Sequence, residues 1–209
     1  MDWYKKLFIL LLPVPLFFGA CISLKQPKNK VEFYTLEYDS PRIEVLHSTP
    51  FAIRMERFSV APAYNSNRII YRDGSFKRNS YAYYKWRVNP GDLVTSFLTR
   101  DIKQSGLFKA VLPHDSRFPS SYIIEGSVDE FFESDKKINW EAVLSVGITL
   151  MAENEPDITK KVLYQKTYHA RKICKQKNPQ GLAKAMSTAM AEISGKIIED
   201  IYCCIETAQ

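Results

Sequence analysis

Trp140-Glu141-Ala142-Val143-Leu144-Ser145-Val146-Gly147-Ile148-Thr149-Leu150-Met151-Ala152-Glu153 is the stretch from which the fold can be read. Ala142, Leu144, Val146, Ile148 and Leu150 recur at every second position, so a strand here lays one apolar face on a core. Comparable strand patterns flank it at about Tyr122–Glu133 and Lys161–Ile173, and Asn154-Glu155-Pro156-Asp157 turns the chain into the latter. After the third strand, Asn178 offers an N-cap and Pro179 a first helical position. Leu182, Met186, Ala189, Ile193, Ile197 and Ile201 then form an apolar stripe at helical spacing.

Upstream, the same signals place another helix. Asn89 and Pro90 open it, Asp92 lies in its first turn, Leu93, Val94, Phe97, Leu98 and Ile102 share a face, and Gly106 ends it. Val31–Tyr38, Phe51–Val60, Arg68–Arg72, Ser80–Arg87 and Leu107–Leu112 read as further strands. The connection containing Asp73-Gly74 is too long for a two-residue hairpin, so a longer loop joins its strands. No repeat or second boundary appears. The expectation is one α+β domain over 31–209, an antiparallel-rich sheet with two main helices packed on one face.

With 45% apolar and 25% charged residues, the chain is too rich in core formers to be wholly disordered. Its first residues indicate its compartment. Lys5 and Lys6 precede an uncharged run, Leu7–Phe18, broken by Pro13 and Pro15. A spanning helix needs about 20 apolar residues, so this run is a secretory h-region. It ends in Phe18-Gly19-Ala20-Cys21, which resembles the bacterial lipobox. That resemblance implies a signal peptide at 1–20, acylation of Cys21 by diacylglycerol and palmitate-type chains, and a lipidated tether at 21–30. Ile22 stands where an inner-membrane retention aspartate would, so the expected destination is the periplasmic face of the outer membrane in a Gram-negative bacterium.

The formal charge of +6 becomes +5 once Lys5, Lys6 and Asp2 leave with the signal peptide (27 cations against 22 carboxylates). A basic protein seeks acidic surfaces, but in the periplasm nucleic acid is not among its partners. Cys174, Cys203 and Cys204 remain in an oxidising compartment. Cys203 lies 24 residues beyond Pro179, roughly 36 Å along a helix, and adjacent cysteines on a helix bridge poorly, so three free thiols are expected.

Templates for catalysis fail. His47, His114 and His169 are scattered, and no GxSxG, HExxH, P-loop or GxGxxG occurs. Asp129-Glu130 and Glu133 with Asp135 read as solvated strand ends beside Lys136 and Lys137 rather than as a general acid–base pair. No cofactor, metal site or catalytic residue is expected.

One segment stands out. Between Arg68 and Arg87, Arg68, Arg72, Lys77, Arg78, Lys85 and Arg87 face a single acid, Asp73, and are interleaved with Tyr71, Phe76, Tyr81, Tyr83, Tyr84 and Trp86. On a regular strand Tyr81 and Tyr83 share one face, and Ala82, Tyr84 and Trp86 the other. Aromatics on both faces point either to a sheet covered on both sides or to contact with another chain or lipid headgroups. Arg72, Lys77, Arg78, Tyr81 and Tyr83 are the candidate partner or headgroup contacts.

The lipobox is followed by Phe33-Tyr34-Thr35-Leu36, Ile53-Arg54-Met55-Glu56-Arg57-Phe58, Tyr71-Arg72 and Tyr84-Lys85-Trp86 leading into Asn89-Pro90. In this the chain resembles the ABC-type transport auxiliary lipoproteins, among them the paraquat-inducible-type lipoprotein, over nearly all of 21–205. The resemblance implies a non-enzymatic outer-membrane subunit working with an MCE-domain protein and, through it, an ABC transporter or permease that moves lipid. In the paraquat-inducible type it implies a homo-oligomeric ring docking the tip of an MCE tube. A monomeric carrier holding lipid in its own cavity is the alternative.

Overall fold

The computed structural model describes residues 30–44, 47–74, 76–136 and 138–207. Cys21, the signal peptide and most of the tether lie outside the described residues. The chain runs β1 (Glu32–Tyr34), β2 (Thr49–Met55), β3 (Ser59–Val60), β4 (Arg68–Arg72), β5 (Asn79–Trp86), α1 (Pro90–Ser105), β6 (Phe108–Pro113), β7 (Tyr122–Asp135), β8 (Trp140–Ala152), α2 (Ile158–Lys161), β9 (Val162–Ile173) and α3 (Pro179–Thr207).

The quoted stretch is β8, at the middle of a three-strand antiparallel spine. It pairs with β7 from Tyr122↔Ala152 to Asp135↔Trp140, and with β9 from Glu141↔Ile173 to Met151↔Val162. Ala142, Leu144, Val146, Ile148 and Leu150 are all buried, as the alternation requires. On its other side β7 meets three short parallel partners in turn: β2 at Tyr122–Ile124, β3 at Ser127–Val128 and β4 at Glu133–Ser134. The sheet therefore forks. One branch continues β2–β6, the other β4–β5–β1. The antiparallel pairings are the longest, but five of the pairings are parallel, so the sheet is mixed rather than antiparallel-rich. Parallel partners need crossover connections, and the one through α1 returns β6 beside β2; local patterning carries no trace of such distant pairings.

The caps form as their residues dictate. Asn89 Oδ1 accepts from the Gly91 N–H at 2.9 Å, and Gly106 closes α1 at φ 70°, a left-handed position that suits glycine. Asn178 Oδ1 accepts from the Gly181 N–H at 2.8 Å and starts α3, whose expected stripe is buried together with Met190, Ile198 and Ile205. Helix α3 rests on β8, β9 and β1, while α1 touches β3, β6, β7 and α3. None of these helices is long and apolar enough to cross a membrane. Helix α2 is one unforeseen turn, capped by Asp157, so β9 starts at Val162.

Two strand expectations shorten. Val31–Tyr38 is a strand only as far as Tyr34, because the chain then leaves the sheet as a strap. The Glu37 N–H donates to Ser187 Oγ at 2.9 Å, Tyr38 and Ser40 hydroxyls donate to the buried Asp101 carboxylate at 2.8 and 2.5 Å, and the Tyr38 ring stacks on Phe97. Phe51–Val60 breaks into β2 and β3 around Phe58, whose N–H donates to Thr95 Oγ1 and whose ring lies on Gly126 where any Cβ would clash. Cys174 is buried, Cys204 half-buried and Cys203 exposed, all as free thiols.

Candidate interaction surface

The basic and aromatic segment forms the β4–β5 hairpin, and the structure divides its candidate residues in two. Arg72 and Tyr81 turn inward. The Arg72 guanidinium lies 3.8 Å from the centre of the Phe132 ring, donates to the Tyr64 hydroxyl and stands 3.9 Å from Glu130. Tyr81 donates from its hydroxyl to Glu133 Oε1 at 2.9 Å, with Oε2 at 3.2 Å, and its ring meets Tyr71 at 4.8 Å and Tyr84 at 5.9 Å. These two side chains fasten the hairpin to β7. Lys77, Arg78 and Tyr83 are exposed, and Phe76, between the strands, is 95% exposed.

The face assignment for β5 needs correction. Pairing runs Tyr71↔Asn79 and Ile70↔Ser80 but then Arg68↔Lys85, so β5 carries extra residues in an irregular stretch between Ser80 and Lys85. Strict alternation fails there. Tyr81 packs with Tyr84 rather than facing out beside Tyr83, and Trp86 is buried edge-on against Phe131 at 5.1 Å. One half of the double-aromatic pattern is therefore core, and the other half, Tyr83 and the loop, is surface.

A second correction concerns the carboxylates. Glu133 is not a solvated strand end but fully buried. The β7–β8 register shifts between Val128 and Glu130, which resets the alternation beyond it, and Phe131, Phe132 and Glu133 are all covered. Burial raises the Glu133 carboxyl to about 7; the Tyr81 hydrogen bond works against this and nearby Asp135 adds to it. Burial, and then the Glu133 carboxylate, pushes Tyr81 well above the ordinary phenol range and Cys174 up to about 11. Asp129 stays exposed, accepting from Ser127 at 2.8 Å. No group of three His, Cys, Asp or Glu side chains among the described residues could hold a metal ion.

The hairpin tip shares one end of the sheet with other exposed groups. Register sets Tyr71–Arg72, Glu133–Ser134, Glu141–Ala142 and Lys172–Ile173 in a row across β4, β7, β8 and β9. Phe76 and Ile138, the latter 83% exposed, lie beyond that row, and Ile173 at its edge is 61% exposed. A groove lined by Arg72, Asp73, Phe132, Asp135, Lys136 and Arg171 opens at the same end. Ile138 and Ile173 escaped notice in the sequence because each is a single apolar residue. The signal for Ile138 was present, an isoleucine in a polar hairpin tip where solubility gives no reason for one.

The inward and outward roles predict opposite costs. Arg72→Ala removes a stacked, hydrogen-bonded cation and is expected to lower unfolding free energy by about 2 kcal/mol, whereas Arg78→Ala is expected to stay within about ±0.5 kcal/mol. Chemical denaturation of the two variants checks this.

Comparison with solved structures relates the fold to others. A crystal structure of a Xanthomonas campestris protein superposes with a TM-score of 0.76 at 14% identity, covering 85% of this chain and 98% of that one. A hypothetical protein from Chlamydia trachomatis gives 0.52 at 9% identity, covering 74% and 96%. At such identities the likeness shows the fold alone. No curated protein matches by sequence. The family match is decisive: over residues 34–198, from β1 into α3, the sequence fits the ABC-type transport auxiliary lipoprotein component, and the chain belongs to that family.

Proposed function

We propose that this protein is a non-catalytic accessory subunit of an envelope lipid-transport system, anchored through Cys21 at the periplasmic face of the outer membrane and docking an MCE-domain protein as a ring or cap. The observation that carries this reading is the family match over 34–198. Two features of the fold agree with it. The interior is filled by side chains, from Ile53 and Trp86 to Ile201, and the grooves beside Ser127–Thr167 and Arg72–Arg171 are open and lined mainly by polar and charged groups. Acyl chains find no dry berth in those two grooves, and the more apolar one beside Ile173 and Ala185 is an open cleft of about 260 Å³, which favours a docking subunit over a carrier with its own cavity. Second, β1 pairs only with Tyr84–Trp86, so the outer edge of β5 from Asn79 to Tyr83 is unpaired by β1 and presents the exposed Tyr83 ring.

The test is capture. The mature protein is expected to retain the MCE-domain protein from the same envelope system without stoichiometric phospholipid. Truncating an aromatic anchor costs about 2 kcal/mol or more, so Tyr83→Ala should weaken capture or ring assembly by roughly 30-fold with an unchanged melting temperature. Copurified phospholipid with no captured partner would favour the carrier instead.

A further inference from the structure

We infer that the end of the sheet bearing Phe76, Ile138 and Ile173 faces the bilayer, with these side chains entering the headgroup region of an anionic phospholipid surface. The inference rests on the acyl anchor at Cys21 and goes beyond it, because an anchor alone does not orient a domain.

Direction of entry is the first argument. Strands β4, β7 and β9 run toward this end, and β5 and β8 start from it. Strand β1 is parallel to β5, with Glu32 level with Tyr84, so the chain at Lys30 arrives from the same end. Phe33 is level with Lys85, which lies opposite Arg68, three residues along β4 from the Tyr71 that faces Asn79. At ~3.3 Å per residue Phe33 therefore stands ~10 Å along the sheet from Asn79, and Lys30 lies nearer to it. The nine steps from Cys21 to Lys30 span at most ~30 Å, enough to bring the acyl chains to this end with slack. The opposite end also exposes apolar side chains, Phe118, Ile158 and Val162. It lies beyond Tyr122, ~36 Å along β7 from Glu133, so the tether would have to double back at nearly full extension to reach it.

Chemistry is the second argument. Phe76 and Ile138 sit at loop tips with Lys77 and Arg78 beside the first and Lys136 beside the second, while Lys175 follows Ile173. Lys136 and Arg171 share Glu141 at 3.2 and 3.5 Å, Asp73 and Asp135 lie near the row, and the Glu133 carboxyl within it is buried. Cations thus outnumber acids around three exposed apolar side chains. This is the composition of an interfacial patch, in which Lys and Arg side chains near an anionic surface add electrostatic attraction to apolar insertion.

The experiment uses the full acylated protein in vesicles of brominated phosphatidylcholine with phosphatidylglycerol. Phe76→Trp, Ile138→Trp and Phe118→Trp are made singly, with native Trp86 and Trp140 setting the baseline. At a depth of ~5–10 Å the added emission at positions 76 and 138 is expected to fall by about half or more, with position 118 unquenched. Quenching at 118 instead overturns the orientation. Flotation with the vesicles but no quenching at 76 or 138 overturns the membrane contact while leaving the anchor standing. Emission at 76 that ignores lipid but shifts on adding MCE-domain protein overturns it in favour of a protein contact. Failure to float overturns the anchor and the inference together.

Discussion

In cells producing Cys21→Ser, the protein is expected to vanish from the washed outer-membrane fraction and accumulate as uncleaved precursor or as soluble protein. In the proposed lipoprotein anchor, Cys21 after Gly19-Ala20 is the acylated thiol, and serine cannot form the thioether. One acyl chain gives only marginal, reversible binding, and two or more are needed for stable attachment, so the change is close to all-or-none. The Phe76, Ile138 and Ile173 end does not rescue it. A few partly inserted side chains and surface cations give reversible binding that salt screens, so residual association should wash off at high ionic strength. The first described strand, β1, starts eleven residues after Cys21, so the melting temperature of the released protein should match that of the detergent-extracted wild type. Mature protein persisting in the outer membrane after a salt wash would refute the lipoprotein anchor.

How much of this was legible in the chain depends on the range of the forces involved. Helix α1 could be read to the residue because Asn89, Pro90 and Gly106 act through hydrogen bonds and dihedral preferences a few residues long. Strand β8 was equally clear, since burial on one face writes period two into Ala142–Leu150. The parallel pairings were not, because β4 meets β7 across some sixty residues and nothing in either segment encodes its neighbour. The assignment of faces around the candidate site failed for a narrower reason. Counting alternate residues assumes an unbroken register, and both β5 and β7 carry a shift. Beyond each shift the parity resets. Tyr81 therefore lies inside where a surface contact was expected, and Glu133 lies inside where a solvated acid was expected. Lys77 and Arg78 lie in a loop, which has no parity to lose, and both are exposed.

Glu133→Gln is expected to stabilise the protein increasingly as pH rises from 5 to 8, with the full gain above neutral pH. The wild-type carboxyl is buried on β7, with Tyr81 donating to it from β5 and Tyr71, Asp135 and the Cys174 thiol close enough to interact electrostatically within the cluster. Burial lifts it to about 7 from an ordinary 4.5. Between those values the folded protein holds a proton that the unfolded chain has lost, so stability falls as pH rises through the window. The full penalty stands above it. A shift of this size corresponds to about 3 kcal/mol, of which about 2–3 kcal/mol develops between pH 5 and 8, or roughly 5–10 °C in melting temperature for a domain of this length. Glutamine keeps an acceptor for the Tyr81 hydroxyl but never ionises. At pH 5 only a small part of this penalty has developed, so the difference between variant and wild type there is mostly what the buried amide itself costs. At pH 8 the variant should gain the 5–10 °C relative to that difference. Tyr81→Phe in the wild-type background should move the window upward, because it removes the hydrogen bond that favours the charged form. Melting curves from pH 5 to 8 decide the matter: parallel profiles for wild type and Glu133→Gln would mean that Glu133 is ionised throughout. The consequence reaches the surface, since Glu133 and Tyr81 clasp β5 to β7 at the base of the hairpin that carries Phe76, Lys77 and Arg78.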